Sequence, residues 1–78
     1  METIYVLAEV ELGALEAVIG RLRQVPLVVE VQAVTGPFDV IVQLRAQHIN
    51  AALDVVMQQI RTIPGIRGTE TLVTVTDP

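Results

Sequence analysis

The sequence contains no cysteine, no tryptophan and no lysine, and it has one tyrosine and one phenylalanine. Without cysteine, disulfide bonds and thiolate metal sites are excluded. Without lysine, five arginines stand against nine acidic residues, which gives a formal net charge of −4. Proteins that bind nucleic acids concentrate basic residues on one face. Here the arginines are scattered apart from Arg21 and Arg23, so direct nucleic-acid binding is not expected.

Long hydrophobic runs are also missing. None reaches the roughly 20 residues that a transmembrane helix needs. The N-terminal segment lacks the basic start and the small-residue cleavage site of a signal peptide. Together these absences predict a cytoplasmic protein with no membrane partner.

The chain is rich in apolar residues. Its length corresponds to one domain, residues 1–78. So short a chain buries only about 60% of its unfolded surface when it folds alone. Yet 51% of its residues are hydrophobic and only 18% are charged. We therefore expect another copy of the chain to cover part of the apolar surface, in an obligate dimer.

The periodicity of the apolar residues predicts the order βαββαβ. Residues 3–10, 28–35, 38–45 and 69–76 have the pattern of strands. Residues 12–25 and 49–63 each place an apolar stripe on one side of a helix, and Pro26 and Pro64 mark their ends. The two stripes consist of Leu15, Val18, Ile19, Leu22 and Val25, and of Ile49, Leu53, Val56, Ile60 and Ile63.

A weak internal repeat supports the same arrangement. The segment LRQVPLV at residues 22–28 aligns with IRTIPGI at residues 60–66, a spacing of 38 in a chain whose half-length is 39. Two β-α-β units joined by a hairpin at Gly36-Pro37 form the ferredoxin-like fold of the α+β class. Right-handed crossovers put both helices on one face of a four-stranded antiparallel sheet. Because the other face also carries apolar residues, such as Tyr5 and Leu7, we expect an α/β-sandwich dimer that packs sheet against sheet.

Three segments resemble one protein family. They are VQAVTGPFDVIV at residues 31–42, IPGIRGTETLV at residues 63–73, and the opening YVLAEVE at residues 5–11, which a helix follows directly. This ordered set is similar to the C-terminal regulatory (RAM) domain of the Lrp/AsnC transcription regulators, over essentially the whole chain. The usual N-terminal helix-turn-helix is absent from the 78 residues. The resemblance therefore implies a stand-alone version that does not touch DNA itself.

The resemblance also implies the ligand and the partners. Members of the family bind amino-acid effectors, and their dimers assemble into rings with the effectors held where dimers meet. We accordingly expect a small-molecule ligand, a free amino acid, and a homodimer that forms an octameric or decameric ring. A full-length Lrp/AsnC regulator is a further partner, and no cofactor is expected.

The family pattern places the ligand site at the hairpin turn and at the start of the last strand. An amino acid needs an anionic acceptor for its ammonium group and N–H or hydroxyl donors for its carboxylate. The resemblance assigns the acceptor to Asp39 and the donors to the backbone of its turn and to two threonine hydroxyls. The candidate ligand-binding residues are Gly36, Phe38, Asp39, Thr69 and Thr71.

Each of these residues also has an ordinary structural explanation. Aspartate in a turn commonly accepts hydrogen bonds from its own backbone, and glycine suits unusual backbone angles. Threonine is common in strands. Two departures from the family bear on the site, because Pro37 removes one N–H and Phe38 stands where a tyrosine is frequent.

Residues for catalysis are few. His48 is the only histidine, and without cysteine it is a poor basis for a metal site. No Ser/His/Asp set, glycine-rich phosphate loop or metal motif is present. The sequence therefore predicts that the protein is not an enzyme.

Three other functions remain open. A dimeric α/β-barrel enzyme, such as a small monooxygenase or lactone isomerase, shares the fold, although its cleft is usually lined with His, Trp, Tyr or Asn. An ACT-type amino-acid-binding domain has a glycine-bearing first loop, which Glu11–Leu15 loosely matches. A purely structural partner would co-assemble with full-length regulators.

Overall fold

The computed structural model describes residues 1–75, which form a four-stranded antiparallel sheet with helices on one face. The strand order is β2-β3-β1-β4. This is the ferredoxin-like α+β arrangement that the sequence predicted. In chain order the elements are β1 (Glu2–Val10), α1 (Leu15–Leu22), β2 (Val28–Ala33), β3 (Val40–Ala46), α2 (Ile49–Val55) with a π-helical turn (Val56–Ile60), and β4 (Ile66–Val73).

One hydrophobic core lies between the sheet and the helices. Every second residue of β1 from Ile4 to Val10 is buried, and so is every second residue of β3 from Val40 to Ala46. This strict alternation places their apolar side chains on a single face, as the strand pattern predicted. The helices contribute the buried residues Val18, Leu22, Ala52, Val56 and Ile60 to the same cluster.

The first helix is shorter than predicted at its start. The sequence pattern placed its beginning at residue 12, but α1 begins at Leu15. The preceding residues form a turn in which Gly13 has a φ of 84° and the Ala14 N–H donates to the Glu11 C=O at 3.0 Å. Leu15, predicted to belong to the core stripe, is 40% exposed because it lies beside this turn.

The other predicted boundaries also shift. The second helix leaves α-helical geometry after Val55, and the π-helical turn ends it at Ile60, before the predicted residue 63. The connection between β2 and β3 comprises residues 34–39 and contains a cis Gly36-Pro37 peptide, so it is longer than the predicted reversal. β4 begins at Ile66 instead of residue 69, and residue 76 of the predicted strand lies outside the described residues.

The internal repeat is confirmed as two equivalent helix-to-strand connections. In residues 22–28 and residues 60–66 alike, the N–H of the fourth residue donates to the C=O of the first at 3.1 Å. The N–H of the seventh donates to the C=O of the fourth, at 3.3 Å and 3.2 Å respectively. The sixth residue has a positive φ in both, 73° at Leu27 and 100° at Gly65.

Gly65 is needed for space as well as for its backbone angle. A Cβ there would lie 2.9 Å from the Ala14 Cβ and 3.0 Å from the Val18 Cγ2. We expect Gly65→Ala to lower the free energy of unfolding by at least about 2 kcal/mol, because left-handed geometry and overpacking each cost about 1–2 kcal/mol or more. Urea denaturation followed by circular dichroism measures the change.

Gly20→Ala is the matched control for this prediction. Gly20 lies inside α1, and a Cβ there would meet nothing within 4 Å. The same chemical change should therefore stabilise the protein by about 0.5–1 kcal/mol, because alanine favours the helix. Equal effects of the two substitutions would contradict the assigned contact between Gly65 and α1.

Candidate ligand-binding site

Asp39 is the last residue before β3, and its carboxylate is fixed against the end of β1. Its Oδ2 accepts a hydrogen bond from the Val10 N–H at 2.8 Å. Its backbone N–H donates to the Ala8 C=O at 2.9 Å, and its C=O accepts from the Val34 N–H at 2.9 Å. The carboxylate therefore accepts a hydrogen bond from a neighbouring strand. The ordinary structural role expected for an aspartate at this position was a hydrogen bond within its own turn.

A pocket of about 300 Å³ lies beside Asp39, where the loop between β1 and α1 meets the β2–β3 connection. This volume is at the lower end of the ~300–1,000 Å³ range of small-molecule sites. Asp39 and Glu11 are the charged residues of its lining. Its remaining wall consists of Val10, Leu12, Gly13, Leu15 and Val34. The pocket thus combines negative charge with a mostly apolar lining.

The loop between β1 and α1 is held in place by two backbone hydrogen bonds. The Glu11 N–H donates to the Gly65 C=O at 2.7 Å, and the Ala14 N–H donates to the Glu11 C=O at 3.0 Å. Ala14 precedes α1 without a side-chain cap, so the first amides of the helix have no capping acceptor from that residue. Because Leu15 begins the helix and also lines the pocket, the positive end of α1 lies at the pocket's edge.

The other candidate residues of the hairpin do not line this pocket. Gly36 is exposed, and Phe38 is half-buried in the β2–β3 connection. The turn is also short of donors, because Pro37 has no N–H and the Asp39 N–H is bonded to Ala8. Asp39 is therefore the one member of the predicted turn that the structure brings to the pocket.

The two candidate threonines lie on β4, on the far side of β1 from Asp39. Thr69 pairs with Ala8 and is half-buried, whereas Thr71 pairs with Val6 and is exposed. Neither lines the pocket beside Asp39. Within a single chain, the structure does not bring the threonines and the aspartate together.

Sequence reasoning missed the pocket's second carboxylate and its exposed leucine. Glu11, Leu12 and Gly13 follow the pattern of β1 directly, and the sequence pattern predicted a helix from Leu12 onward. Leu12 is completely exposed in this loop. A leucine beside a glycine at a strand-to-helix junction could have indicated a ligand-binding loop. The sequence analysis used this feature only in the comparison with ACT-type domains.

Between residues 1 and 75, no three or more His, Cys, Asp or Glu side chains are grouped so as to hold a metal ion. In the same part of the chain, no helix combines the length and the hydrophobicity that crossing a membrane requires.

The sequence of the chain matches a family of transcription regulators. The family model described as the Lrp/AsnC ligand binding domain matches residues 3–77. The HTH-type transcriptional regulator FL11 of Pyrococcus horikoshii is 33% identical over 72 residues, and the match covers 88% of this chain and 45% of FL11. The chain therefore spans about half the length of this curated relative.

Solved structures show the same fold. The protein TTHA0845 from Thermus thermophilus superimposes with a TM-score of 0.93 at 32% sequence identity, over 100% of this chain and 98% of that one. The transcriptional regulator NMB0573 from Neisseria meningitidis, solved as a complex with L-Met, gives a TM-score of 0.86 at 18% identity, over 97% of this chain and 51% of that one. The second likeness concerns the fold alone. Because the family model matches nearly the whole chain, the chain belongs to the Lrp/AsnC ligand-binding-domain family.

Proposed function

We propose that this chain binds a free amino acid with an apolar side chain in the pocket beside Asp39, and that it acts in regulation as an oligomer. The observation that carries the proposal is the pair of acidic residues, Asp39 and Glu11, in the lining of a mostly apolar pocket, in a chain of a ligand-binding family. The complex of NMB0573 with L-Met supports the class of ligand. Because the family is regulatory, we infer that the chain acts by binding and not by catalysis.

The ammonium group of the ligand is assigned to Asp39. A carboxylate offers about four lone-pair positions. The Val10 N–H occupies one of them and fixes the orientation of the side chain, so acceptor capacity remains for an ammonium group. Hydrogen bonds to a charged group contribute about 1.5–3 kcal/mol each. Glu11 adds a second negative charge at the same pocket.

The carboxylate of the ligand is assigned to the amino end of α1. Free amides at a helix start attract anions, and Leu15 brings this end to the pocket. In the proposed site, Thr69 and Thr71 contribute only from a second copy of the chain, because they lie on β4 away from the pocket of their own chain. Such sharing would link ligand binding to assembly into an octameric or decameric ring.

The apolar wall selects the side chain of the ligand. Leu12 and Leu15 are exposed and stand beside Val34, so an apolar ligand would cover them. Each buried methylene contributes about 0.8 kcal/mol. An anionic side chain would lose water there and would also be repelled by the negative charge of Glu11.

A thermal-shift experiment with each of the twenty amino acids tests the proposed ligand. We expect the unfolding midpoint to rise with apolar amino acids, because a ligand at 100 times its Kd stabilises the folded state by about 2.7 kcal/mol. Asp39→Asn should weaken binding by about tenfold or more, because it removes the charge that attracts the ammonium group. Asparagine keeps an oxygen that can accept from the Val10 N–H, so the substitution separates ligand binding from strand pairing.

Asp54→Asn is the matched control, because Asp54 is exposed on α2 and away from the pocket. It should respond to amino acids as the unmodified protein does. The proposal is wrong if none of the twenty amino acids raises the midpoint, or if Asp39→Asn responds like the control.

The proposed oligomer rests on the sheet face that the helices leave uncovered. An apolar strip crosses this face, formed by Tyr5, Leu7, Ile41 and Leu72. Leu7 pairs with Ile41, and Tyr5 pairs with Leu72. The first three are half-buried, and Leu72 is 48% exposed. We propose that two copies pack these strips against each other.

Leu7→Glu should convert the dimer to a monomer. Leu7 lies in the centre of the strip, and a buried unpaired carboxylate there would cost the interface about 2 kcal/mol or more. Sedimentation velocity over a range of concentrations measures the association state. Gln58→Glu places the same charge at an exposed position of the π-helical turn, away from the strip, and should leave the dimer intact. A dimer that survives Leu7→Glu would exclude this face as the interface.

We further propose that the chain does not contact DNA itself, in keeping with its net charge of −4, and that it works in the cytoplasm. A second candidate function is co-assembly with a full-length Lrp/AsnC regulator. The fold shared with NMB0573 favours this candidate, because a common fold provides equivalent sheet faces for mixed pairing. Capture of such a regulator by the tagged protein, lost in Leu7→Glu, is the expected result, and its absence would argue for the homo-oligomer.

A further inference from the structure

We infer that the chain has a second binding site, an oxyanion pocket at the start of β4. This pocket has a volume of about 280 Å³ and is lined by Arg61, Ile66, Arg67, Gly68 and Thr69. It shares no lining residue with the pocket beside Asp39. The two proposals share only Thr69, which the amino-acid site would take from a second copy, and substitutions of Arg61 and Arg67 test the oxyanion pocket alone.

Arg61 reaches the oxyanion pocket from the end of the π-helical turn. Its backbone N–H donates to the Val56 C=O, five residues earlier, at 2.9 Å. The last turn therefore contains one more residue than an α-helical turn. Its Nη1 donates to the Met57 Sδ at 3.0 Å. The thioether is a neutral acceptor, so this contact orients the guanidinium group without cancelling its charge. Wide turns of this kind are rare and recur at functional sites.

Arg67 reaches the same pocket through an irregularity in β4. Glu9 pairs with Gly68, whereas the next residue of β1, Val10, pairs with Ile66. Arg67 is therefore the extra residue of a β-bulge, and a bulge redirects the side chain that it carries. Both arginines are thus brought together by local departures from regular secondary structure.

The remaining lining complements the two guanidinium groups. Thr69 adds a hydroxyl to the lining. Glu9 lies across from Gly68, and its Oε1 is 3.4 Å from the position of a Cβ at Gly68, but it does not line the pocket. The charged groups of the lining are therefore both positive, in a chain whose net charge is −4.

This set of groups defines the chemistry of the ligand. Guanidinium groups bind carboxylates and phosphates with paired N–H donors, and two of them together suit a ligand with two negative charges. A volume of about 280 Å³ restricts the ligand to a small molecule. We assign the site to a small ligand with two negatively charged oxygen groups, which is either a phosphoryl compound or a dicarboxylate.

Titration of the ¹⁵N-labelled protein with inorganic phosphate and with succinate, at constant ionic strength, tests the assignment. We expect saturable shifts of the amide signals that centre on residues 61–69. Tighter binding of phosphate would identify a phosphoryl ligand, and tighter binding of succinate a dicarboxylate. Arg61→Gln and Arg67→Gln should each weaken binding by about tenfold or more, since each removes a charge-assisted pair of hydrogen bonds.

Two further variants complete the design. Arg67→Lys keeps the charge but loses the paired donors, so it should weaken binding less than Arg67→Gln does. Arg23→Gln is the control, because Arg23 is exposed and lines a different pocket. It should leave the affinity within about twofold of the unmodified value, because Arg23 does not line the oxyanion pocket and salt screens the effect of an exposed charge. The inference is overturned if neither anion gives saturable shifts, if chloride gives the same shifts, or if Arg23→Gln weakens binding as much as Arg67→Gln.

Discussion

The contact between Gly65 and the beginning of α1 is the constraint on which the rest of the structure depends. The Gly65 C=O accepts the Glu11 N–H at 2.7 Å, and the missing side chain lets Ala14 and Val18 approach closely. This contact joins the start of β4 to the loop that follows β1, although more than fifty residues separate them along the chain. The loop in turn forms one wall of the pocket beside Asp39. The close contact between Gly65 and the start of α1 therefore determines both the packing of the core and the shape of the pocket.

The sequence predicted the elements well because their faces depend on local periodicity. Alternation from Ile4 to Val10 identified the buried face of β1, and the helical spacing of Val18 and Leu22 identified the buried face of α1. The ends of the elements depend on geometry that periodicity does not record. Apolar spacing does not show that Gly13 adopts a positive φ, so the start of α1 was predicted three residues too early. The π-helical turn was missed for the same reason, since its apolar residues also fit an α-helix.

The candidate site was predictable only in part. Family resemblance predicted Asp39 as a ligand-binding residue, because the aspartate follows a recognisable glycine-containing turn. Its bond to the Val10 N–H joins residues 29 positions apart, and only the tertiary fold determines such a contact. Glu11 ends a segment that resembles the family, and Leu12 lies in a loose match to an ACT-type loop, but only the folding of the loop brings them to the pocket. The threonines of β4 were grouped with Asp39 by the family pattern, but in one chain the strand β1 separates them.

The two halves of the duplicated fold are unequal at their strand-to-helix junctions. Residues 11–14 connect β1 to α1, whereas residues 47–48 alone connect β3 to α2. The longer junction supplies the leucine and glycine of the pocket, and the shorter one has no room for their equivalents. Duplication of the β-α-β unit therefore did not duplicate the pocket. Any molecule that this longer junction recognises has a stoichiometry of one per chain, and a symmetric assembly would carry as many such molecules as it has subunits.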